Sequence, residues 1–490
     1  MTTFPPELWF HVAQFIPEDA LYQLRCVNSV FLQLALGVRW RKVSITTRKT
    51  PQNMRLLDRL SDTLIARKVQ NITICFATSD SRTIKESPVC GCHHTDYIGA
   101  LQDGKKKVVG DVQMYHSKIS YSQCFEGMML EAIVRLCPGF LNLRNLTLDF
   151  ANISPSFHSH RLSVFFRCLW TAVEGKLDCL SLVGSLSGYH SILHNPPTLR
   201  SLKQLDIQIV NHPHDLNGGL DANALLESIS YFINRHSQTL NALKIWSLPS
   251  RSQAVDLSPL FSHLSSFPTL TSLDVRLAFN KLFDPSGLQY LIWNTSFTLR
   301  RLSLRLNPSG FSMPWDTESL LGCWLSSCLA DPYAFSYLKV LDVYPSRQPE
   351  SVFVLLECIK RASGGLQEIT IRDQYLQNDE ARAIINAASH CRNLVSLHLN
   401  VWEMDIHLID LLSKKLPGLE NLSLATVESQ FDDFPTYFIN CLRGRTYTGW
   451  RLQDISLYYG NREIDAKVMR ALAQSISSVR YIFGKKFTAV

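Results

Sequence analysis

Long apolar runs are missing. Nowhere in 490 residues do about 18 apolar residues follow one another, so no membrane-spanning helix is expected. Clustered positive charge is missing too: the longest basic run is Lys105, Lys106 and Lys107, and 49 Lys and Arg stand against 42 Asp and Glu. A net charge of +7 without a basic face does not suit tracking of a phosphate backbone, and no nucleic-acid partner is expected. The chain start lacks the positive charge and unbroken apolar stretch of a secretory signal. The thirteen cysteines are odd in number and scattered singly, which points to reduced thiols in an intracellular protein, cytoplasmic or nuclear. Low-complexity and strongly polar stretches are also lacking. With 46% apolar and 19% charged residues, most of the chain should fold, either as about three ordinary domains or as one long repeat array with a small appendage.

Catalytic signatures are equally scarce. There is no G-x-x-x-x-G-K-[ST] phosphate loop, and Gly184-Ser-Leu-Ser-Gly188 is one residue too wide for a nucleophile elbow. Cys90-Gly-Cys92-His93-His94 offers four candidate zinc ligands, but structural zinc sites take two separated pairs. Cys75 and Cys124 would supply a second pair only if the intervening loop folded back. The segment reads instead as an irregular inserted surface loop over about residues 77–121. No cofactor, no metal and no catalysis by this chain are expected.

What is present is a repeat. Past residue 60 an apolar residue, two others, an apolar residue, one other and an apolar residue return again and again. The copies start at Leu143 (LRNLTLDF), Leu177, Leu202, Leu240, Leu270, Leu299, Leu338, Leu366, Leu394, Leu419 and Leu452, with an early copy at Val69 and a frayed last one near Val479. The last two apolar positions lie two apart, so in a strand both point to one face. Between copies lie helically spaced apolar residues, such as Phe125, Met129, Ile133 and Leu136, or Leu225, Ile229 and Ile233. Each unit is then a strand followed by a helix. A unit of this size cannot bury its own apolar face, but a stack of them builds a parallel sheet with helices behind it.

The pattern resembles leucine-rich repeats over roughly residues 60–490, with HCRNLVSLHL around Cys391 similar to the cysteine-containing variety. The resemblance implies an α/β solenoid, a curved parallel sheet with helices outside. The asparagine that usually follows the strand is present only at Asn307; Ala151, Ser185, Gln374 or Gly460 stand there in other copies. Turns lacking it must satisfy their buried backbone groups in other ways.

Residues 1–45 do not share the repeat. Between Phe4 and Trp40, 22 of 37 residues are apolar, too many for a unit too small to build a self-sufficient core. Three short helices are predicted, with Leu8, Val12, Phe15 and Ile16 on the first, Leu21 and Leu24 on the second, and a third capped by Asn28 or Ser29. The order Phe4-Pro5-Pro6-Glu7-Leu8, then Val12, Phe15-Ile16, Leu21, Leu24, Val27, Leu34 and Trp40 resembles an F-box along its full length. Phe4 replaces the family's usual leucine, and Val30-Phe31 stands where a basic residue and tryptophan are common. The resemblance implies docking on the Skp adaptor, and through it on a cullin, by Phe4, Pro5, Leu8, Ile16, Leu21 and Val27. The alternative reading of these residues is an N-terminal cap over the first repeat.

On the side of the strands expected to be concave, the residue after the third apolar position reads Trp246, Arg276, Arg305, Tyr344 and Arg372 in successive copies. Such residues anchor interfaces, and arginine forks suit carboxylates and phosphates. They form a candidate patch for an acidic or phosphorylated client segment, or else a solvated face whose arginines pair with Asp274 and Asp342. The expectation for the whole is a non-catalytic substrate-recognition subunit of a Skp, cullin and F-box ubiquitin ligase that holds an unknown client protein. A non-ligase interaction scaffold and a sensor of a small anion are the rival readings.

Overall fold

A computed structural model describes residues 5–47, 50–76, 128–151, 159–193, 198–210, 221–248, 255–277, 283–306, 315–343, 349–427, 434–460 and 462–487. Phe4, Asn307, Tyr344 and the whole inserted loop with Cys90, Cys92, His93 and His94 lie outside them. The chain divides into two compact units, Met1–Leu240 and Asn241–Val490.

In the first unit the strands β1 (Lys42–Thr46), β2 (Asn71–Cys75), β3 (Asn145–Phe150), β4 (Cys179–Gly184) and β5 (Gln204–Val210) pair in parallel with their chain neighbours. The second unit repeats the arrangement. Its parallel strands are β6 (Ala242–Leu248), β7 (Ser272–Arg276), β8 (Arg301–Arg305), β9 (Val340–Val343), β10 (Glu368–Leu376), β11 (Ser396–Val401), β12 (Asn421–Thr426) and β13 (Asp454–Tyr459). A short pair, Tyr481–Ile482 and Lys485–Lys486, closes the far side of β13. Every copy of the repeat is a strand that begins two residues after its first apolar residue, and helices such as Ala222–Asn234 lie between. Both units are built as a leucine-rich-repeat solenoid of the α/β class.

The register explains why. Ile72, Leu146, Leu180 and Leu205 align across β2 to β5, and Leu243, Leu273, Leu302, Leu341, Ile369, Leu397, Leu422 and Ile455 across β6 to β13. All are buried. Each ladder of touching side chains excludes water only because the neighbouring strand continues it, so the repeats stabilise one another rather than themselves.

The backbone groups at the two ends of the strands are paired in other ways. At the entry to β2–β5 and β7–β13 two successive N–H groups donate to one carbonyl of the preceding repeat. Arg144 and Asn145 share Gln70 O at 2.9 and 3.0 Å, and Gln367 and Glu368 share Lys339 O at 2.8 and 3.0 Å. Side chains supply the rest: Ser185 Oγ accepts from the Gly188 N–H at 3.2 Å. Gly184 and Gly188, which frame the false elbow, have a packing reason. A Cβ at Gly184 would stand 1.9 Å from the Phe150 ring and one at Gly188 2.6 Å from it.

The array starts earlier than residue 60. β1 pairs with β2 from Lys42 to Thr46, and the helix Pro51–Leu60 follows it. Trp40, Val43 and Ile45 occupy the three apolar positions, so a tryptophan does the work of the usual leucine and hides the repeat from a search for leucines. The boundary at 45 therefore cuts through a repeat.

Two candidate binding surfaces

The N-terminal tip consists of α1 (Pro6–Ala13), α2 (Glu18–Gln23), a 3-10 turn (Leu24–Cys26) and α3 (Ser29–Trp40). Pro6 opens α1, where a missing N–H costs nothing. Asn28 is the cap of α3, its side chain accepting from the Phe31 N–H at 2.9 Å. The tip's core is small: Ala13, Leu21 and Phe31, with Trp9, Ile16, Leu24, Leu34 and Val38 packed against it. Trp9 meets Phe31 edge-on at 5.4 Å. Helix α3 also packs on β1 and on the helix Thr63–Ala66, so the tip and the first repeat are continuous.

This core divides most apolar residues of α1 and of the turn after it into two stripes, with Phe10, also exposed, on neither. Trp9, Ala13 and Ile16, spaced i, i+4 and i+7, face inward. Leu8, Val12 and Phe15, one position earlier, face water; Leu8 is 45% and Phe15 86% exposed. Val27, past the turn, is 59% exposed, and Pro5 is open. Among the residues expected to touch an adaptor, Pro5, Leu8 and Val27 are thus reachable, and Ile16 is half-buried against the tip's own core. Leu21 needs correction. It is 6% exposed because the middle of α2 closes over Ala13 and Phe31, so its side chain serves the tip's own core. Phe15, the most exposed of the stripe, is not among the contacts that the resemblance implies. Apolar residues occupy both stripes, and only the inward packing of Trp9 tells them apart. Polar pairs tie α2 to α3 and the residue after it: Arg39 donates to Tyr22 OH at 2.7 Å and Arg41 pairs with Glu18 at 2.6 Å.

The second surface is the open face of the sheet. Residues between and beside the buried strand positions line it in three rows. In the row after the third apolar position, Trp246, Arg276 and Arg305 stand side by side on β6, β7 and β8. Lys244 Nζ lies 3.6 Å and the Arg276 guanidinium 5.3 Å from the Trp246 ring centre, and Trp246 Nε1 donates to Asp274 at 3.2 Å. These three expected residues do meet. Arg372 does not join them: it lies on β10 and its guanidinium donates to the carboxylate of Asp342, which Ser303 Oγ also contacts at 3.1 Å. The pairing follows from burial, since Asp342 is almost wholly covered and its charge needs a partner.

A cavity of about 460 Å³ opens on this face. Its lining comes mostly from the other two rows: Arg301, Glu368, Ser396, Asn421 and Asp454 in one, Thr370, His398, Ser423 and Ser456 in the other. The same repeat pattern places these residues on the open face, but weight given to aromatics and arginines alone passes over the hydroxyls of Thr370, Ser396, Ser423 and Ser456 and the carboxylates of Glu368 and Asp454.

Elsewhere the titratable groups serve packing. Burial pushes the thiols of Cys137 and Cys358 up to about 12, which keeps them protonated. Among the described residues no group of three or more His, Cys, Asp or Glu is placed to hold a metal ion, and no helix is long and apolar enough to cross a membrane.

No family model matches the sequence, and no curated protein matches it. Solved structures with a similar course include a chain of the Rad7–Elc1 complex from yeast, at 13% identity over 86% of this chain and 87% of that one, with a TM-score of 0.41. The leucine-rich repeat-containing protein LegL7 from Legionella pneumophila is 12% identical over 77% of this chain and 98% of its own, with a TM-score of 0.36. The TLR13–ssRNA13 complex matches at 17% identity and a TM-score of 0.31, over 70% of this chain and 49% of that one.

Proposed function

We propose that the chain is a non-catalytic substrate receptor of a Skp, cullin and F-box ubiquitin ligase. The observation that carries this reading is the outward stripe Leu8, Val12 and Phe15, flanked by open Pro5 and Val27, on a tip whose own core is already complete. Apolar side chains left in water after a core has closed are what a partner's apolar groove covers, and each such side chain fully buried contributes about 1.5–3 kcal/mol. The F-box order of the segment, from Phe4 through Trp40, names the Skp adaptor as that partner. The open face of the repeat strands then holds the client, and ubiquitin reaches a client lysine by proximity to the conjugating enzyme.

Affinity purification from cells tests the proposal, comparing wild type with the double variant Leu8→Ala, Phe15→Ala. The adaptor and a cullin should accompany the wild type and be absent from the variant, while clients accumulate on the variant. Equal recovery of both from the variant would refute it. A second reading, a repeat scaffold outside any ligase, is favoured by the packing of α3 on β1, which makes the tip a cap for the array as well. Recovery of the adaptor without a cullin would select it.

A further inference from the structure

Exposed aromatic rings gather at one place in the second unit. Phe297, in the turn that leads into β8, and Tyr333 and Tyr337, in the turn that leads into β9, are 56%, 51% and 45% exposed, yet both tyrosines meet the phenylalanine. The Phe297 ring centre lies 5.0 Å from that of Tyr333 and 6.0 Å from that of Tyr337, with the rings tilted by 40° and 43°. In the other copies from Leu143 to Leu452 a polar residue, a charged residue or glycine stands just before the first leucine; Tyr337 is the aromatic exception. The turn that carries the tyrosines is well anchored. Ala334, Phe335 and Leu338 are buried, and Arg361 Nη1 donates to Asp331 O at 2.7 Å. Phe335 sits at a φ of +68°, the left-handed region that residues with a side chain rarely take, and its burial holds it there. The hydroxyls of Tyr333 and Tyr337 have no partner among the described residues. Beside them the Arg300 guanidinium lies 5.4 Å from the Tyr337 ring centre. Its Nη1 donates to two neutral carbonyls, Phe297 O at 2.9 Å and Leu299 O at 3.0 Å, and its charge pairs with no carboxylate among the described residues.

We propose that this aromatic shelf binds a proline-rich segment in the polyproline II conformation, with an acidic residue set against Arg300. The size of the shelf fits a short linear segment. Half of three aromatic side chains amounts to about 300 Å², well short of the about 800 Å² that each partner buries in a stable interface between folded proteins. Its chemistry fits proline. A polyproline II helix leaves its carbonyls unpaired and shows a flat pyrrolidine every third residue, about 9 Å apart, which suits exposed rings with free hydroxyl donors. A cationic guest is disfavoured, because Arg300 already sets positive charge beside one of the rings, and the same guanidinium favours a carboxylate. The fixed turn presents the tyrosines before the guest arrives, so little ordering is left for binding to impose. The shelf lies at the entries to β8 and β9, away from the N-terminal tip, and does not depend on the adaptor reading.

Anisotropy titrations of the purified full chain test this with three fluorescein-labelled peptides: a polyproline flanked by aspartates, the same polyproline flanked by lysines, and a Gly-Ser peptide of equal length flanked by aspartates. The acidic proline peptide should bind at least about tenfold more tightly than the Gly-Ser peptide and about threefold more tightly than the lysine-flanked one. Tyr333→Ala with Tyr337→Ala should erase the preference for proline. Tyr333→Phe with Tyr337→Phe keeps the rings and removes the donors, and should weaken binding by about threefold to tenfold. Arg300→Gln should erase the preference for aspartate over lysine and leave that for proline. Circular dichroism reports whether each variant folds, and the phenylalanine pair carries the test even if the alanine pair does not. No saturable binding of the acidic proline peptide up to about 1 mM, tighter binding of either control, or affinity unchanged in a folded tyrosine pair would overturn the proposal. So would pelleting with phosphatidylcholine–phosphatidylserine vesicles, or self-association in sedimentation, that the alanine pair removes, since the shelf would then serve a membrane or a second copy of the chain.

Discussion

The N-terminal tip and the repeat strands use the same kinds of apolar residue to opposite ends. In the strands, the inward positions from Ile72 to Ile455 are all buried, because each neighbouring strand continues the ladder. In the tip, a core of Ala13, Leu21 and Phe31 closes with Leu8, Val12, Phe15 and Val27 still outside it. A stack can always bury more by adding a repeat; three short helices have only so much inner face. Apolar surplus in the tip is therefore surface, and it is the surface that the proposed adaptor would cover.

Breaking the strand side of this contrast should cost most. Leu424 is fully buried on β12 between Leu399 and Leu457, and Leu424→Ala should lower stability by about 2–5 kcal/mol in urea melts. Less is expected from Gly184→Ala, where the added methyl meets Phe150: about 1–3 kcal/mol, with Phe150→Leu in the same chain restoring part of it. Non-additivity of that pair is the diagnostic, and full additivity would show that the ring is not what Gly184 accommodates.

A buried histidine gives a pH signature to the repeat side alone. His236 accepts the Leu199 N–H through Nε2 at 3.0 Å, and its Nδ1 faces Phe232 O at 2.9 Å, a pairing that suits the neutral ring. Burial, more than the neighbouring Arg235 charge, holds its pKa below the ordinary 6.5. The unfolded chain then binds the proton more readily, so this contribution to stability is whole above about pH 6.5 and is lost as pH falls toward the lowered folded value. His236→Gln should flatten that part of the urea-midpoint profile between pH 7.5 and 5.5. An unchanged slope would remove His236 as its source.

The smallest stability effect belongs to the tip's outer stripe. Phe15→Ala should change the unfolding free energy by no more than about 0.5 kcal/mol, whereas Leu21→Ala, from the tip's core, should cost several times that. Comparable losses at the two positions would erase the division between the stripes.

How far the sequence revealed all this differs between the same two regions. The repeat spacing places a strand in each copy from β2 to β13 and tells which of its residues turn inward, because a period-two strand leaves no choice of face once its leucines are buried. β1 escaped because Trp40 stands in the leucine's place. The tip was legible as three helices but not as two stripes: Leu8 and Trp9 are both apolar, and only packing on Phe31 decides which turns inward. On the open face the meeting of Trp246, Arg276 and Arg305 follows from their common place in the repeat. The withdrawal of Arg372 to Asp342 does not, because it depends on how deeply that carboxylate is covered.

The tip's outer stripe is the proposed adaptor site, and the assignment of the repeats as a client receptor depends on it. Isothermal titration of the purified full chain with purified Skp adaptor measures it directly. One-to-one binding is expected for the wild type, weakened at least about a hundredfold by Leu8→Ala with Phe15→Ala, two side chains each contributing about 1.5–3 kcal/mol when buried, while the melting midpoint stays unchanged. Absence of binding by the wild type, or equal affinity of the double variant, would contradict it.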